Sequence, residues 1–205
     1  MDESIRVSLA FHDLTELDKD IVSKYSSKAQ VLDLSHNNFS DLRSLETFQN
    51  IHTLILDNNS LKSHVKFPSL PNITILWVNR NRIANLTVFI ETVDKAFPDL
   101  QYLSMINNPA APSFFNGGSY EQYLDYRHYV ISQLPNLTML DDKAITTSER
   151  QEGERIYKHQ LSIKSSRTKR RSSGQSKKKV RKSSSRQSLE ESNVDLPSVE
   201  ELTKR

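Results

Sequence analysis

Between Ala29 and Pro109 one pattern is written four times: AQVLDLSHNNF (29–39), IHTLILDNNSL (51–61), ITILWVNRNRI (73–83) and LQYLSMINN (100–108). Aligned, the copies share apolar residues in the order LxxLxLxxN, with asparagines at Asn37, Asn59, Asn81 and Asn108. The spacing is 22 residues twice (37 to 59, 59 to 81) and then 27 (81 to 108). A period of this length marks a solenoid, in which each copy buries its apolar face against the next. Within a copy, two apolar residues flank one variable residue: Leu32/Leu34, Leu54/Leu56, Leu76/Val78 and Leu103/Met105. That alternation puts both side chains on one face of a short strand. The asparagine that follows turns the chain, and its amide satisfies backbone groups that burial would otherwise leave unpaired. The four asparagines therefore read as a structural ladder and not as a catalytic or ligand set.

The flanks read as caps. Leu9, Phe11, Leu14 and Leu17 imitate a repeat, with Leu14 where the asparagine would stand, and LDKDIVSKYSSK (17–28) places Ile21, Val22 and Tyr25 at helical spacing. Phe67 to Pro71 suits a short extended or 3₁₀ return, whereas NLTVFIETVDKAF (85–97) is long enough for a helix and explains the longer third spacing. PAAPSFFNGGSYEQ (109–122) reads as an exposed loop, with Phe114 and Phe115 in it. Tyr120 to Ser132 follows as a helix, with Tyr123, Tyr126, Val130 and Leu134 on one side. Leu137 and Leu140 supply a last strand-like layer, and Asp141 and Asp142 read as acids at a helix N-terminus. Thr146-x-x-Glu149 forms a capping box for a helix reaching about Lys158. The organisation expected is a half-repeat cap over 1–28, repeats over 29–112, loop and C-terminal cap over 113–158, and a tail over 159–205.

Charge divides the chain the same way. Residues 1–154 hold 13 Lys+Arg and 20 Asp+Glu (net −7), residues 155–189 hold 13 and none (+13), and the last 16 hold 2 and 5 (−3). The tail is rich in Ser, Lys and Arg and too poor in apolar residues to fold alone, so it reads as disordered. Lys169, Arg170, Arg171 and Lys177, Lys178, Lys179, Arg181, Lys182 admit three readings: a nuclear signal for an importin, contact with anionic membrane or RNA backbone, or a solvated linker. RRSS and RKSSSRQS within it look like basophilic kinase substrates, and phosphates there would cancel the positive charge.

Function classes fall away quickly. There is no cysteine, which excludes thiol catalysis, disulfides and cysteine-based zinc sites. The start is charged without an apolar segment, and no run approaches the ~18–20 apolar residues that span a membrane, so an intracellular, cytoplasmic protein is expected. Only four glycines occur, no HExxH or GxSxG stands in the chain, and the six histidines are dispersed. No enzyme, metal, cofactor or small-molecule substrate is expected.

What remains is surface. The residues between and after the core leucines face the concave side in three columns: Val31, Thr53, Ile75, Tyr102; Asp33, Ile55, Trp77, Ser104; and Ser35, Asp57, Asn79, Ile106. Polar members are ordinary there. Ile55, Ile75, Trp77, Tyr102 and Ile106 are not, and Trp77 is the chain's only tryptophan. An apolar-aromatic patch on solvent-facing strands marks a protein-binding face, which we assign to Asp33, Ile55, Asp57, Ile75, Trp77, Asn79, Tyr102, Ser104 and Ile106. The alternative is that the 113–119 loop or the tail folds back over it.

Beside this reading stands a resemblance. YRHYVISQLPNLTMLDD (126–142) with SERQEGE (148–154), together with stretches 53–73, 79–86 and 98–112, resembles the cap and repeats of one leucine-rich repeat family. That family includes the spliceosomal A-prime protein, the acidic nuclear phosphoproteins and phosphatase-regulatory repeat proteins. The likeness covers roughly residues 30–158, and the 113–119 loop and the tail depart from it. It implies an α/β leucine-rich repeat solenoid: a short curved parallel sheet with helix and 3₁₀ returns, a helical C-terminal cap and a disordered basic tail. The nearest likeness implies an adaptor for Rab-type small GTPases in melanosome and lysosome-related organelle traffic and in melanocyte-type differentiation. The alternative is a nuclear scaffold similar to the A-prime protein, which binds an RNA-binding partner.

Overall fold

The computed structural model describes residues 5–113 and 116–158. They belong to one compact unit, Met1–Leu161. The readings of the tail and of Phe114 and Phe115 lie outside the described residues.

Each repeat contributes one three-residue strand: β2 (Val31–Asp33), β3 (Thr53–Ile55), β4 (Ile75–Trp77) and β5 (Tyr102–Ser104). β1 (Arg6–Ser8) precedes them, and β6 (Met139–Leu140) and β7 (Lys143–Ala144) follow. The order in the sheet is the order in the chain, parallel from β1 to β6, with β7 antiparallel to β6. The register aligns Leu32, Leu54, Leu76, Leu103 and Leu140 across neighbouring strands, all fully buried. Leu34, Leu56, Val78 and Met105 lie in the same core, also without solvent exposure. The short strands follow from the pattern, since only one variable residue separates core positions before the turn.

The returns differ in length. A 3₁₀ turn (Arg43–Thr47) closes one, and Phe67–Pro71 runs without helix, its Phe67 ring packing edge-on to Phe97 at 4.9 Å. The N-terminal flank holds α1 (Lys19–Tyr25), and α2 (Leu86–Ala96) fills the longest return, capped by Asn85 Oδ1 accepting from the Val88 N–H at 3.1 Å. It buries Phe89, Ile90, Val93 and Ala96, so the five extra residues are one helical face.

The ladder bonds run backward, from each repeat to the one before. Asn59 Nδ2 donates to Leu34 O (3.0 Å) and Leu56 O (3.1 Å), while its Oδ1 accepts from Phe39 N (2.9 Å). Asn81 repeats the set on Leu56 O, Val78 O and Leu61 N, and Asn108 on Val78 O, Met105 O and Ile83 N. Asn37 bonds Leu9 O, Leu34 O and Leu14 N. The residue before each ladder asparagine adopts positive φ: His36 (56°), Asn58 (51°), Arg80 (53°) and Asn107 (60°). A left-handed non-glycine residue costs about 1–2 kcal/mol, which the surrounding bonds hold in place.

Two sequence expectations need correction. With β1 pairing Val7 to Leu32, the first repeat's asparagine position falls on His12, not Leu14. His12 Nδ1 meets Ala10 O at 2.6 Å, matching the bond of Asn59 to Asp57 O two residues earlier, and Phe11 takes the left-handed position at φ 61°. Leu14 instead aligns with Phe39, the apolar residue after the asparagine. The second correction concerns Asp141, which caps no helix. The next helix, α4, spans 147–158 and is opened by Thr146, which exchanges bonds with Glu149.

Candidate protein-recognition face

The strands bring the three concave columns into register. Ile55 neighbours Trp77, and Ile75 neighbours Tyr102, across parallel pairs. The Trp77 and Tyr102 rings sit 5.1 Å apart, tilted by 34°. Ile55, Ile75, Trp77 and Tyr102 are half-buried and Ile106 is 37% exposed. Because β-strands this short expose their concave side chains to water unless something covers them, these five form an apolar stripe along the face.

The polar members behave differently. Asp33 accepts from Arg6 Nη2 (2.7 Å) and from Ser35 N and Oγ (3.1 and 2.7 Å), and is only 7% exposed. Asp57 accepts from the Asn79 N–H (2.8 Å) and Nδ2 (3.2 Å). Asn79 Oδ1 in turn accepts from Ser104 Oγ and Ile106 N, both at 2.7 Å. Asp57, Asn79 and Ser104 thus form a second, concave ladder that ties the turns together. Burial holds the Asp57 carboxyl above the usual carboxylate range, against the lowering effect of the Asn79 bonds. All nine sequence-assigned residues lie on the face: Asp33, Asp57, Asn79 and Ser104 are hydrogen-bonded within it, Asp33 and Ser104 are buried, and the apolar members with half-buried Asp57 and Asn79 reach solvent.

Sequence reading missed the far end of the face. A groove of about 530 Å³ opens there, lined among others by Ile106, Pro112, Tyr120, Tyr123, Asp142 and Lys143. It forms because α3 (Tyr120–Gln133) starts beside the last repeat, with Ser119 and Gln122 closing a capping box. In sequence the 109–122 stretch reads as an exposed loop with a fold-back of 113–119 over the face as the alternative; in the structure Pro112, Ser113, Gly118 and Ser119 wall the groove together with Ile106.

Behind the groove a buried network fixes the cap. Asp141 accepts from Met105 N and from the Tyr126 hydroxyl, both at 2.9 Å. Burial raises the Asp141 carboxyl above its usual range, more than its bonds lower it, and burial with the Asp141 charge raises the Tyr126 hydroxyl. Arg127, 1% exposed, donates to Glu149 Oε1 (2.8 Å) and Leu140 O (3.1 Å). Burial pushes the Glu149 carboxyl up, but the bonds from Arg127 and Thr146 bring it below the usual range.

Comparison with known proteins agrees with this architecture. A family model described as leucine-rich repeat matches residues 25–168. The chain belongs to the leucine-rich repeat family. The human leucine-rich melanocyte differentiation-associated protein is 39% identical over 126 residues, covering 59% of this chain and 64% of that protein. U2 small nuclear ribonucleoprotein A' of Candida albicans is 27% identical over 155 residues, covering 74% of this chain and 61% of that protein. This chain thus spans under two thirds of the length of these curated relatives. A chain in the crystal structure of the Drosophila melanogaster SNF/U2A' complex superposes with a TM-score of 0.58 at 19% identity, over 74% of this chain and 80% of that one. At that identity the likeness is one of fold. Among the described residues no helix is long and apolar enough to cross a membrane.

Proposed function

We propose that this leucine-rich repeat protein is a non-enzymatic recognition module that binds a protein partner on its concave face. The observation that carries the reading is the Trp77–Tyr102 pair, held on solvent-facing strands and flanked by Ile55, Ile75 and Ile106. Tryptophan and tyrosine anchor interfaces because they bury large area with few rotors, and two such rings side by side present a larger contiguous area. The 39% likeness to the melanocyte differentiation-associated protein supports a role in melanocyte-type differentiation, and from the resemblance of repeats and cap we infer an intracellular adaptor in melanosome or lysosome-related organelle traffic with a Rab-type GTPase as partner. Pulldown against Rab proteins loaded with GDP or GTP tests it. Nucleotide-dependent binding that Trp77→Ala abolishes is expected, and equal binding to both forms, or none, overturns the Rab assignment.

A second reading is favoured by the SNF/U2A' structure, in which a chain of this fold belongs to a protein complex. Here the protein is a nuclear scaffold for an RNA-binding partner, with the basic residues from Lys169 to Lys182 as its nuclear address. Removal of residues 164–186 separates the two: loss of nuclear signal supports the scaffold, and an unchanged cytoplasmic distribution supports the adaptor.

A further inference from the structure

The charges around the apolar stripe are unevenly matched. The concave columns and the groove hold four carboxylates, Asp33, Asp57, Asp141 and Asp142, against two cations, Arg6 and Lys143. Arg6 is committed to Asp33 at 2.7 Å. Asp141 is buried and committed to Met105 N and the Tyr126 hydroxyl. Lys143 places its ammonium 5.2 Å from the centre of the Tyr123 ring and forms no ion pair among the described residues. Two carboxylates are left that reach the surface and pair with no cation there: Asp57 at one end of the stripe and exposed Asp142 at the other, on the groove wall.

These two bracket the aromatic residues. Asp57 follows β3 and Asp142 follows β6, three strand spacings apart through β4 and β5, or roughly 14 Å. Between them lie Trp77, Tyr102 and Ile106. Resting on the concave-face reading above, we infer that the face takes a partner segment whose apolar side chains are bracketed by basic residues, one meeting Asp57 and the other meeting Asp142 at the groove. Over this span, about four residue steps of an extended segment, about three apolar residues fit between its charges. The Lys143 ammonium rests over the Tyr123 ring and forms no ion pair with neighbouring Asp142, which leaves that carboxylate open to a partner's cation. Neighbouring charge of one sign also disfavours acidic segments, which sets specificity more than affinity.

The lone tryptophan makes this measurable, because intrinsic emission of the full chain reports on this face alone. Three synthetic peptides share one core of three Leu and Phe residues and differ in their flanks: Arg, Gln or Glu. The Arg-flanked peptide is expected to shift Trp77 emission and to bind at least tenfold tighter than the Gln-flanked one, with the Glu-flanked one weakest. Asp57→Asn and Asp142→Asn each reduce the Arg-flanked affinity severalfold and narrow the gap between the Arg-flanked and Gln-flanked peptides. Equal binding of Arg- and Gln-flanked peptides overturns the bracket while leaving the apolar face standing. Tighter binding of the Glu-flanked peptide overturns it too, and absence of any emission shift overturns both the bracket and the face.

Discussion

The repeat stack and the C-terminal cap satisfy the same need, buried backbone groups, with different chemistry. In the stack, neutral asparagine amides repeat one bond set from layer to layer: Asn59, Asn81 and Asn108 each reach one repeat back. In the cap, single-use charged and hydroxyl groups take over: Arg127 on Leu140 O and Glu149, and Asp141 on Met105 N and Tyr126. A repeating solution works only while the next layer has the same shape. Where the solenoid stops, the last layer must bond to a helix of different geometry, and ionised or phenolic groups with longer reach make the join. The difference predicts that the stack tolerates pH and the cap does not.

The cap should be the easier half to break. Arg127→Ala leaves Glu149 without its buried partner and Leu140 O without a donor, and is expected to cost about 3–5 kcal/mol by chemical denaturation. Asn59→Ala leaves the Phe39 N–H without its acceptor, while Leu34 O and Leu56 O keep Asn37 and Asn81 as donors, and is expected to cost about 1–3 kcal/mol. A loss under ~1 kcal/mol at Asn59 would mean that water replaces the ladder and that the stack does not depend on it.

Asp141→Asn sharpens the comparison in the opposite direction. Asparagine can still accept from Met105 N and can donate to the Tyr126 oxygen, and it tolerates the φ of 58° found there. The Asp141 carboxyl is raised in the folded state, so its contribution favours the fold below the unfolded carboxylate range and is lost as pH climbs through the raised value. The melting temperature of the Asn variant should therefore gain on the parent as pH rises from about 4 to 7, by an amount equivalent to ~1 kcal/mol or less. Glu149 runs the other way: held low, it stabilises the cap at neutral pH, and that stability is lost as pH falls through its depressed value. The smallest effect is expected at the first repeat, where His12→Asn restores the ladder residue and changes stability by no more than about 0.5 kcal/mol.

The stack was legible because its information is local and repeated. Leucine spacing fixed which residues are buried, and asparagine spacing predicted the turns and the register of Trp77 beside Ile55 and near Tyr102. The degenerate first copy is shifted by two residues from its sequence reading because His12 stands at the asparagine position and makes only one of that residue's bonds, to Ala10 O. The cap's pattern gave its helices and the Thr146–Glu149 box, but not Arg127 or Asp141, whose partners lie 22 and 36 residues away. The groove escaped for the same reason. Its walls come from the turn after β5, the following loop, α3 and the turn between β6 and β7, and only tertiary packing brings Ile106, Tyr123 and Asp142 together.

The central claim is that the leucines and asparagines hold the chain in shape while Trp77 and its neighbours recognise a partner. Site-specific photo-crosslinking in cells tests it most directly, with a photoreactive residue placed at Ile106 on the concave face or at Val88 on exposed α2. The account predicts one discrete adduct from position 106, absent from position 88 and lost when Trp77→Ala is added to a protein that still melts within a few degrees of the parent. The same adduct from position 88, or an adduct at 106 that survives Trp77→Ala, would contradict it.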